Sequence, residues 1–204
     1  MRPQILTVGR SFDLISIGSQ TGFAQIAAVR IRTLASMEVR ELRADEGLAY
    51  REIRLRSLRD APTAFASTFD EESGQTDEIW QDMATRTAEA MEAAILVVDR
   101  GDGALAGTAF VRVSLDPPHD GYVGAMWVDE DLRGAGWADA LLETAERFAQ
   151  RLGSSAIELW VSGSNPLAQR FYERNGYRPT GVQEPQSSGI IAHMLLKPLI
   201  SPGG

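Results

Sequence analysis

Val128-Asp-Glu-Asp-Leu-Arg-Gly-Ala-Gly-Trp-Ala138 is the stretch that decides the fold of this 204-residue chain. The residues that lead into it, 121 to 128, have the Tyr, Val and Trp content typical of a β-strand. The residues after it place apolar side chains at helical spacing as far as Leu152, with polar ones opposite. Gly134 and Gly136 allow a tight turn and expose bare backbone N–H groups at the start of that helix. This order predicts a cradle for a phosphate or pyrophosphate.

A second informative block follows, Leu159-Trp-Val-Ser-Gly-Ser-Asn-Pro-Leu-Ala-Gln-Arg-Phe-Tyr-Glu-Arg-Asn-Gly-Tyr177. Its apolar start predicts a strand, its small polar residues predict a turn, and Pro166 suits the first position of a short helix. Gly176 is the stop signal expected just beyond the end of that helix. The block therefore predicts a second strand–turn–helix unit.

The two blocks contain ordered patterns, Arg133-x-x-Gly136-x-Ala138 and Asn165-x-x-Ala168-x-x-x-Tyr172-x-x-x-Gly176-Tyr177. Together they resemble the GCN5-related N-acetyltransferases, the GNAT family, and the resemblance extends from Met37 to Pro198. It implies an α/β fold with a mixed, mostly antiparallel sheet flanked by helices, in the order β-α-α-β-β-β-α-β-α-β-β. It also implies acetyl-CoA as the co-substrate.

The hydrophobic pattern along the chain predicts the same alternation of elements. Helices are predicted at residues 46–59 with Asp45 as the N-cap, and at 77–91, 135–151 and 166–174. Strands are predicted at a first segment beginning at Met37 and at 94–99, 105–114, 122–128, 156–161, 177–183 and 190–196. Asp60 to Asp70 is predicted to be a loop because Pro62 interrupts it.

Composition restricts the functions open to the chain. The length suits one domain, and a formal net charge of −8 argues against nucleic-acid binding, which normally needs a basic stripe. The absence of cysteine excludes disulfides and a thiol nucleophile. The two histidines, His119 and His193, lie far apart in sequence, so we expect no metal site. No apolar run approaches the ~18 residues of a membrane span, so we expect no membrane partner.

Residues 1–36 differ from the rest because they hold four arginines and one acidic residue, Asp13. Arginines interrupt their apolar segment, so a secretory signal is not predicted. We expect 1–36 to be a disordered leader or the product of an upstream start. The acetyltransferase domain is then expected at 37–204, in a cytoplasmic protein.

The resemblance implies that a backbone loop wraps the pyrophosphate of acetyl-CoA. The amides involved would be those of Arg133, Gly134, Ala135, Gly136, Trp137 and Ala138. Asp129, Glu130 and Asp131 precede this loop, and many family members carry Pro at the position of Glu130. We expect the three carboxylates to face solvent, with Arg133 partly offsetting their charge.

The resemblance also implies how the pantetheine arm is held. The backbone of Met126, Trp127 and Val128 would pair with it where the fourth strand splays from the fifth, although the Trp127 side chain also suits core packing. The Asn165 amide would reach the pantetheine or a neighbouring loop, but Asn165 also suits the N-cap before Pro166.

Tyr172 is the catalytic candidate, because a phenol with a pKa near ~10 can donate a proton to a departing thiolate. An acceptor ammonium must also lose a proton. Many family members carry a Glu for this at the start of the fourth strand, where this chain has Tyr122. The base is therefore open between His119, Asp120, Glu158, the Glu71/Glu72 pair and His193.

These features predict an acetyl-CoA-dependent N-acetyltransferase that acetylates a primary amine of a small molecule or protein by direct attack in a ternary complex. A homodimer is possible by the family resemblance. The alternative from another class is a catalytically silent CoA-binding sensor or interaction domain. A dinucleotide-binding oxidoreductase is disfavoured, because Asp139 stands where that fingerprint needs its third glycine.

Overall fold

A seven-stranded mixed sheet forms the centre of the protein in the computed structural model, which describes residues 37–116, 120–185 and 190–199. The sheet order is β1-β2-β3-β4-β5-β7-β6. Its strands are β1 (Glu38–Glu41), β2 (Ala93–Asp99), β3 (Leu105–Val113), β4 (Gly121–Val128), β5 (Ala156–Ser162), β6 (Arg178–Pro185) and β7 (Ile191–Pro198). Neighbouring strands are antiparallel except β4 and β5, which are parallel. The predicted fold class is confirmed.

Five helices occur among the described residues. They are α1 (Gly47–Asp60), α2 (Phe69–Ser73), α3 (Asp77–Glu89), α4 (Trp137–Arg151) and α5 (Pro166–Arg174), and a 3-10 turn at Glu130–Leu132 precedes α4. None of them combines the length and apolar character needed to cross a membrane. The predicted leader at 1–36 and the candidate base His119 lie outside the described residues.

Alternating side chains of the sheet give the molecule two hydrophobic cores. On one face, Leu96 and Val111 pack with Leu141, Leu142 and Phe148 of α4. On the other face, Ile95 and Val97 pack with residues of α1 and α3, including Ile53 and Trp80. The central strands are therefore covered on both sides, as their nearly continuous apolar composition requires.

Local chemistry corrects the prediction in three places. The loop predicted at 60–70 contains the start of α2. Thr68 and Glu71 cap the N-terminus of this helix with a reciprocal capping box. The N-cap of α1 is Glu46 rather than Asp45, and the Glu46 carboxylate binds Arg40 at 2.6 Å. The fourth helix begins at Trp137, because Gly136 adopts a left-handed conformation with φ 88°.

Candidate active site

A wedge-shaped cleft opens between β4 and β5. The two strands pair at Gly121 with Ile157 and at Tyr122 with Glu158, and no further pairing occurs between them in the described parts of the chain. The cleft beyond is lined from both strands and from α5, with Ala125, Trp160 and Tyr172 on its walls. The splay therefore occurs where the sequence analysis expected it.

A β-bulge bends β4 at the cleft. Thr108 of β3 pairs with Trp127 and Phe110 pairs with Gly124, so β4 carries one extra residue between these pairs. Ala125 lies in the bulge with φ 50°, the single non-glycine residue with positive φ among the described residues. A positive φ costs a residue with a Cβ free energy, so the fold maintains strain at this point.

The three residues expected along the pantetheine arm have different surroundings. Met126 lines the cleft, and Val128 is buried at the border of the glycine-rich loop. The Trp127 side chain is 7% exposed and packs in the core beside α1, where its Nε1 donates to Asp60 at 2.8 Å. The side chain of Trp127 therefore has the core role that was the alternative in the sequence analysis.

The glycine-rich loop forms an open cavity of about 350 Å³ next to the start of α4. Gly134 and Gly136 have φ values of 76° and 88°, and a Cβ on either would meet no atom within 4 Å. The Arg133 N–H donates to the Glu130 carbonyl at 3.2 Å and the Ala135 N–H to the Leu132 carbonyl at 3.3 Å. Those two amides hold the turn itself.

The first turn of α4 contributes further N–H groups, from Trp137 and Ala138, that have no acceptor within the helix. Gly134, Gly136 and Ala138 line the open cavity, which lies at the positive end of the helix dipole. Arg174 lines the same cavity from α5, held by Asp139 at 2.9 Å. This arrangement fits the pyrophosphate that the sequence predicted.

The charges before the loop are arranged differently from the expectation. Asp129 does not face solvent: its side chain is 15% exposed and contacts Arg56 at 3.0 Å and Arg100 at 3.1 Å. Asp131 is exposed but also pairs with Arg100, at 2.8 Å. Arg133 pairs with Asp60 instead of these carboxylates. Hydrogen bonds from Trp127 and then Arg133 lower the pKa of Asp60, against the opposing effect of burial.

Helix α5 brings Asn165 and Tyr172 to the cleft. Asn165 Oδ1 accepts the Ala168 N–H at 3.0 Å, so the capping role is present, and Asn165 also lines the cleft. Tyr172 is half-buried, with its ring edge-on to Phe171 at 5.1 Å and to Tyr177 at 5.8 Å between centroids. Burial, and then the nearby Tyr122, raise the pKa of Tyr172, so its hydroxyl stays protonated and able to donate.

The candidate bases Glu71, Glu72 and Glu158 differ in their hydrogen-bond partners and in the direction of their pKa shifts. Glu71 serves the capping box of α2. Glu72 is bound to Arg54, and although burial acts against it, hydrogen bonds from Arg54 and Ser67 lower the pKa of Glu72. Glu158 differs, because burial and then the charge of Asp120 raise its pKa, with Arg112 opposing them.

Glu158 is the register partner of Tyr122, at the point where β4 and β5 part. The Tyr122 ring lies over Gly124, where an added Cβ would be 2.8 Å from its Cζ. The sequence analysis missed this contact. The available signal was an aromatic residue two positions before a glycine, because both then lie on one face of a strand.

A second cavity, of about 280 Å³, lies between the sheet and the layer of α1 and α3. It shares Gly124 and Ala125 with the cleft. Arg54, Glu72 and Trp80 line it, and the sequence analysis did not bring these residues together. Within the described residues, no group of three or more acidic or histidine side chains could hold a metal ion.

Comparison with known proteins agrees with this arrangement. The model of the acetyltransferase (GNAT) family matches residues 55–177. The chain is 36% identical over 81 residues to blasticidin-S acetyltransferase from Streptomyces morookaense, which covers 38% of this chain and 57% of that protein. It spans about a quarter to a half of the length of other curated relatives that it matches.

Solved structures share the fold. An acetyltransferase of the GNAT family from Streptococcus pneumoniae superposes with a TM-score of 0.69 at 18% identity, over 80% of this chain and 99% of that one. The protein yncA from Salmonella typhimurium, solved with its cofactor acetyl-CoA, gives a TM-score of 0.65 at 15% identity, over 82% and 96% of the two chains. The family model covers more than half of the sequence, and it includes the cleft, the glycine-rich loop and Tyr172. The chain therefore belongs to the acetyltransferase (GNAT) family.

Proposed function

We propose that this protein is an N-acetyltransferase that transfers the acetyl group of acetyl-CoA to a primary amine by direct attack in a ternary complex. The observation that carries the proposal is the cleft between β4 and β5, with a glycine-rich cradle at one end and Tyr172 on its wall. Family membership and the acetyl-CoA bound to yncA support the same donor. Cytoplasmic location and homodimer formation stay predictions.

Donor binding would use backbone groups rather than side-chain charge. The amides of Gly134, Gly136, Trp137 and Ala138 would bind the pyrophosphate, because a helix N-terminus and positive-φ glycines allow phosphate oxygens to come close. Beyond Tyr122, β4 loses its partner β5, so the backbone of Met126 to Val128 can pair with an extended pantetheine arm. Asn165 caps α5 and so helps to keep Tyr172 at the cleft.

Two side chains would transfer protons, one to the leaving thiolate and one from the acceptor ammonium. Acetyl-CoA supplies a thioester, whose acetyl group goes to the amine and whose sulfur leaves as a thiolate. Tyr172 would donate its proton to that sulfur, since its raised pKa keeps the phenol protonated. Glu158 would accept the proton of the acceptor ammonium through ordered water, because it lines a neighbouring cavity beside Tyr122, where β4 and β5 part, and its raised pKa makes it a better base than an ordinary carboxylate.

The test is CoA release from acetyl-CoA across a panel of amines, for the wild type and Tyr172→Phe. We expect amine-dependent release that falls about 100-fold in Tyr172→Phe, with little change in CoA affinity. Tyr177→Phe is the matched control, because it also removes one phenol, whose hydroxyl donates to Glu146 at 3.1 Å on α4. Tight CoA binding without release for any amine would contradict the proposal.

A further inference from the structure

Three side chains in the walls of the second cavity each carry a buried polar atom without a partner among the described residues. Arg54 Nη1, Gln75 Oε1 and Trp80 Nε1 are each buried and have no hydrogen-bond partner among the described residues, and all three side chains line the same cavity. Buried polar groups are normally paired, because water can no longer compensate them. Because three such side chains surround one cavity, it is the candidate site for a ligand that could pair with them.

Arg54 is fixed so that one end of its guanidinium stays available. The residue is 7% exposed. Its Nε and Nη2 donate to the two carboxylate oxygens of Glu72 at 2.9 and 2.7 Å, and its guanidinium stacks over the Phe65 ring at 4.8 Å. The edge facing Glu72 is therefore occupied, and Nη1 is the corner left for another acceptor.

The donors and acceptor around the cavity describe the chemistry that would fill it. Arg54 Nη1 and Trp80 Nε1 donate hydrogen bonds only, so they fit a carboxylate, for which an arginine is a strong partner. Gln75 Oε1 only accepts, so it fits an N–H group. The remaining wall includes Ile95, Met83 and Phe110, which suit an apolar side chain.

The volume of the second cavity and its border with the cleft suit a small acceptor of the acetyl group. The volume of about 280 Å³ is at the small end of ligand sites, which excludes a long acceptor lying wholly inside it. The cavity meets the cleft at Gly124 and Ala125, beside the strained bulge. An amine at that border would lie next to the cleft wall that holds Tyr172.

We infer that the acceptor is a small amino acid with an apolar side chain, whose carboxylate binds Arg54 in this cavity and whose amine faces the bulge. The inference rests on the proposed function for the identity of the reaction. It departs from the net charge of −8, which taken alone favours a purely cationic amine. The Arg54–Glu72 pair makes a carboxylate ligand compatible with an acidic protein. Arg54 neutralises the charge of Glu72 and keeps Nη1 as a donor for the ligand.

The experiment compares L-leucine with isopentylamine, which lacks the carboxylate, and uses the full chain. Acetyl transfer to both is measured for the wild type, Arg54→Lys and Arg86→Lys. Lysine keeps the charge beside Glu72 but not the planar fork, so Arg54→Lys should lower the ratio of kcat/KM for leucine to that for isopentylamine about 10- to 100-fold. Arg86 is the matched control on α3, since its side chain is 73% exposed and pairs with Asp82. Its variant should keep the ratio.

A second variant covers a failure of Arg54→Lys to fold. Trp80→Phe keeps an aromatic ring and removes the Nε1 donor inferred to bind the carboxylate, so it should also lower the ratio. An equal loss for both amines, or a wild type that does not prefer leucine, would overturn the inference and leave the proposed function standing.

Calorimetric titration of the CoA-saturated protein with L-leucine separates the two proposals. Leucine binding that weakens in Arg54→Lys, without turnover of any amine, would support the carboxylate site and contradict acetyl transfer. Turnover of isopentylamine without leucine binding would support acetyl transfer and contradict the carboxylate site.

Discussion

At the scale of single residues, Glu158 is the group whose ionisation should set the pH dependence of the reaction. Burial and Asp120 raise its pKa above the ordinary 4.5, and the carboxylate form is the one that accepts a proton. We therefore expect kcat/KM to rise with pH through that raised pKa. Glu158→Gln should lower kcat/KM about 100-fold and remove this acidic limb of the profile. The measurement is a pH profile of CoA release.

Asp120→Asn is the control for that profile. It removes a like charge near Glu158, so the pKa of Glu158 should fall and the acidic limb should move to lower pH. Asp120 is exposed and is not the inferred base. An Asp120→Asn variant as inactive as Glu158→Gln would assign proton removal to Asp120 instead.

Gly136 and Gly153 provide a matched pair for testing the cradle. Their φ values are 88° and 85°, and a Cβ would meet no atom within 4 Å at either position, but Gly153 follows the other end of α4. Aspartate at each should cost about 1 kcal/mol of folding free energy for the left-handed backbone. Only Gly136→Asp should abolish CoA binding, because its charge meets phosphate oxygens. Titration calorimetry with CoA checks this, and equal affinity in both variants would rule out the cradle.

At the scale of elements, the bulge of β4 is the strained feature. Ala125 has φ 50°, so Ala125→Gly should relieve about 1 kcal/mol and raise the Tm by about 2–4 °C. Ala125→Val should lower the Tm, because a β-branched residue fits that backbone poorly. Thermal unfolding of the two variants measures the difference. A valine variant as stable as the wild type would mean that the bulge carries no strain.

The same scale explains how much of the fold the sequence could predict. The strand at 121–128 was predicted from its Tyr, Val and Trp content, and the helix after the glycine-rich loop from apolar residues at helical spacing. Helix α2 was missed because Phe69-Asp-Glu-Glu-Ser73 is short and polar, and only its capping box marks it. The cap of α1 was wrong because Glu46 is held by Arg40 on β1, a contact that local propensity does not contain.

At the scale of the whole molecule, ion pairs between distant elements should control stability in acid. Arg40 of β1 binds both Glu46 before α1 and Asp99 of β2. Burial acts to raise both pKa values, but hydrogen bonds lower them, from Arg40 to Glu46 and from the Gly101 N–H and then Arg40 to Asp99. A lowered pKa in the folded state adds stability above the ordinary values of 4.5 and 3.8. That stability is lost as the pH falls through the lowered values.

Arg40→Met should therefore lower the free energy of unfolding by about 2 kcal/mol at neutral pH and by less in acid. Urea unfolding at the two pH values measures both changes. Arg147→Met removes an exposed pair with Glu143 on α4 and should cost less than about 0.5 kcal/mol at either pH. An Arg40 effect independent of pH would assign its role to packing of the side chain.

Ion pairs between residues far apart in sequence also form the part of the site that could not be predicted from the sequence. The cradle and Tyr172 each belong to one short continuous motif, so their pattern was visible in the sequence. Asp129 meets Arg100 and Arg56, which are 29 and 73 residues away, and Arg54 meets Glu72 18 residues away. Neither pairing has a periodic signature, because it depends on how the helices cross the sheet.

The border at Gly124 and Ala125 has a consequence for how such a protein can change over generations. The unpaired atoms of the second cavity come from residues 54 to 80, whereas the cradle and Tyr172 come from residues 134 to 172. Under the proposed function, the two substrates are thus recognised by successive, separately encoded stretches of chain. Substitutions of Arg54, Gln75 or Trp80, which line the second cavity and not the cleft or the cradle, can therefore change the choice of amine while donor binding is kept.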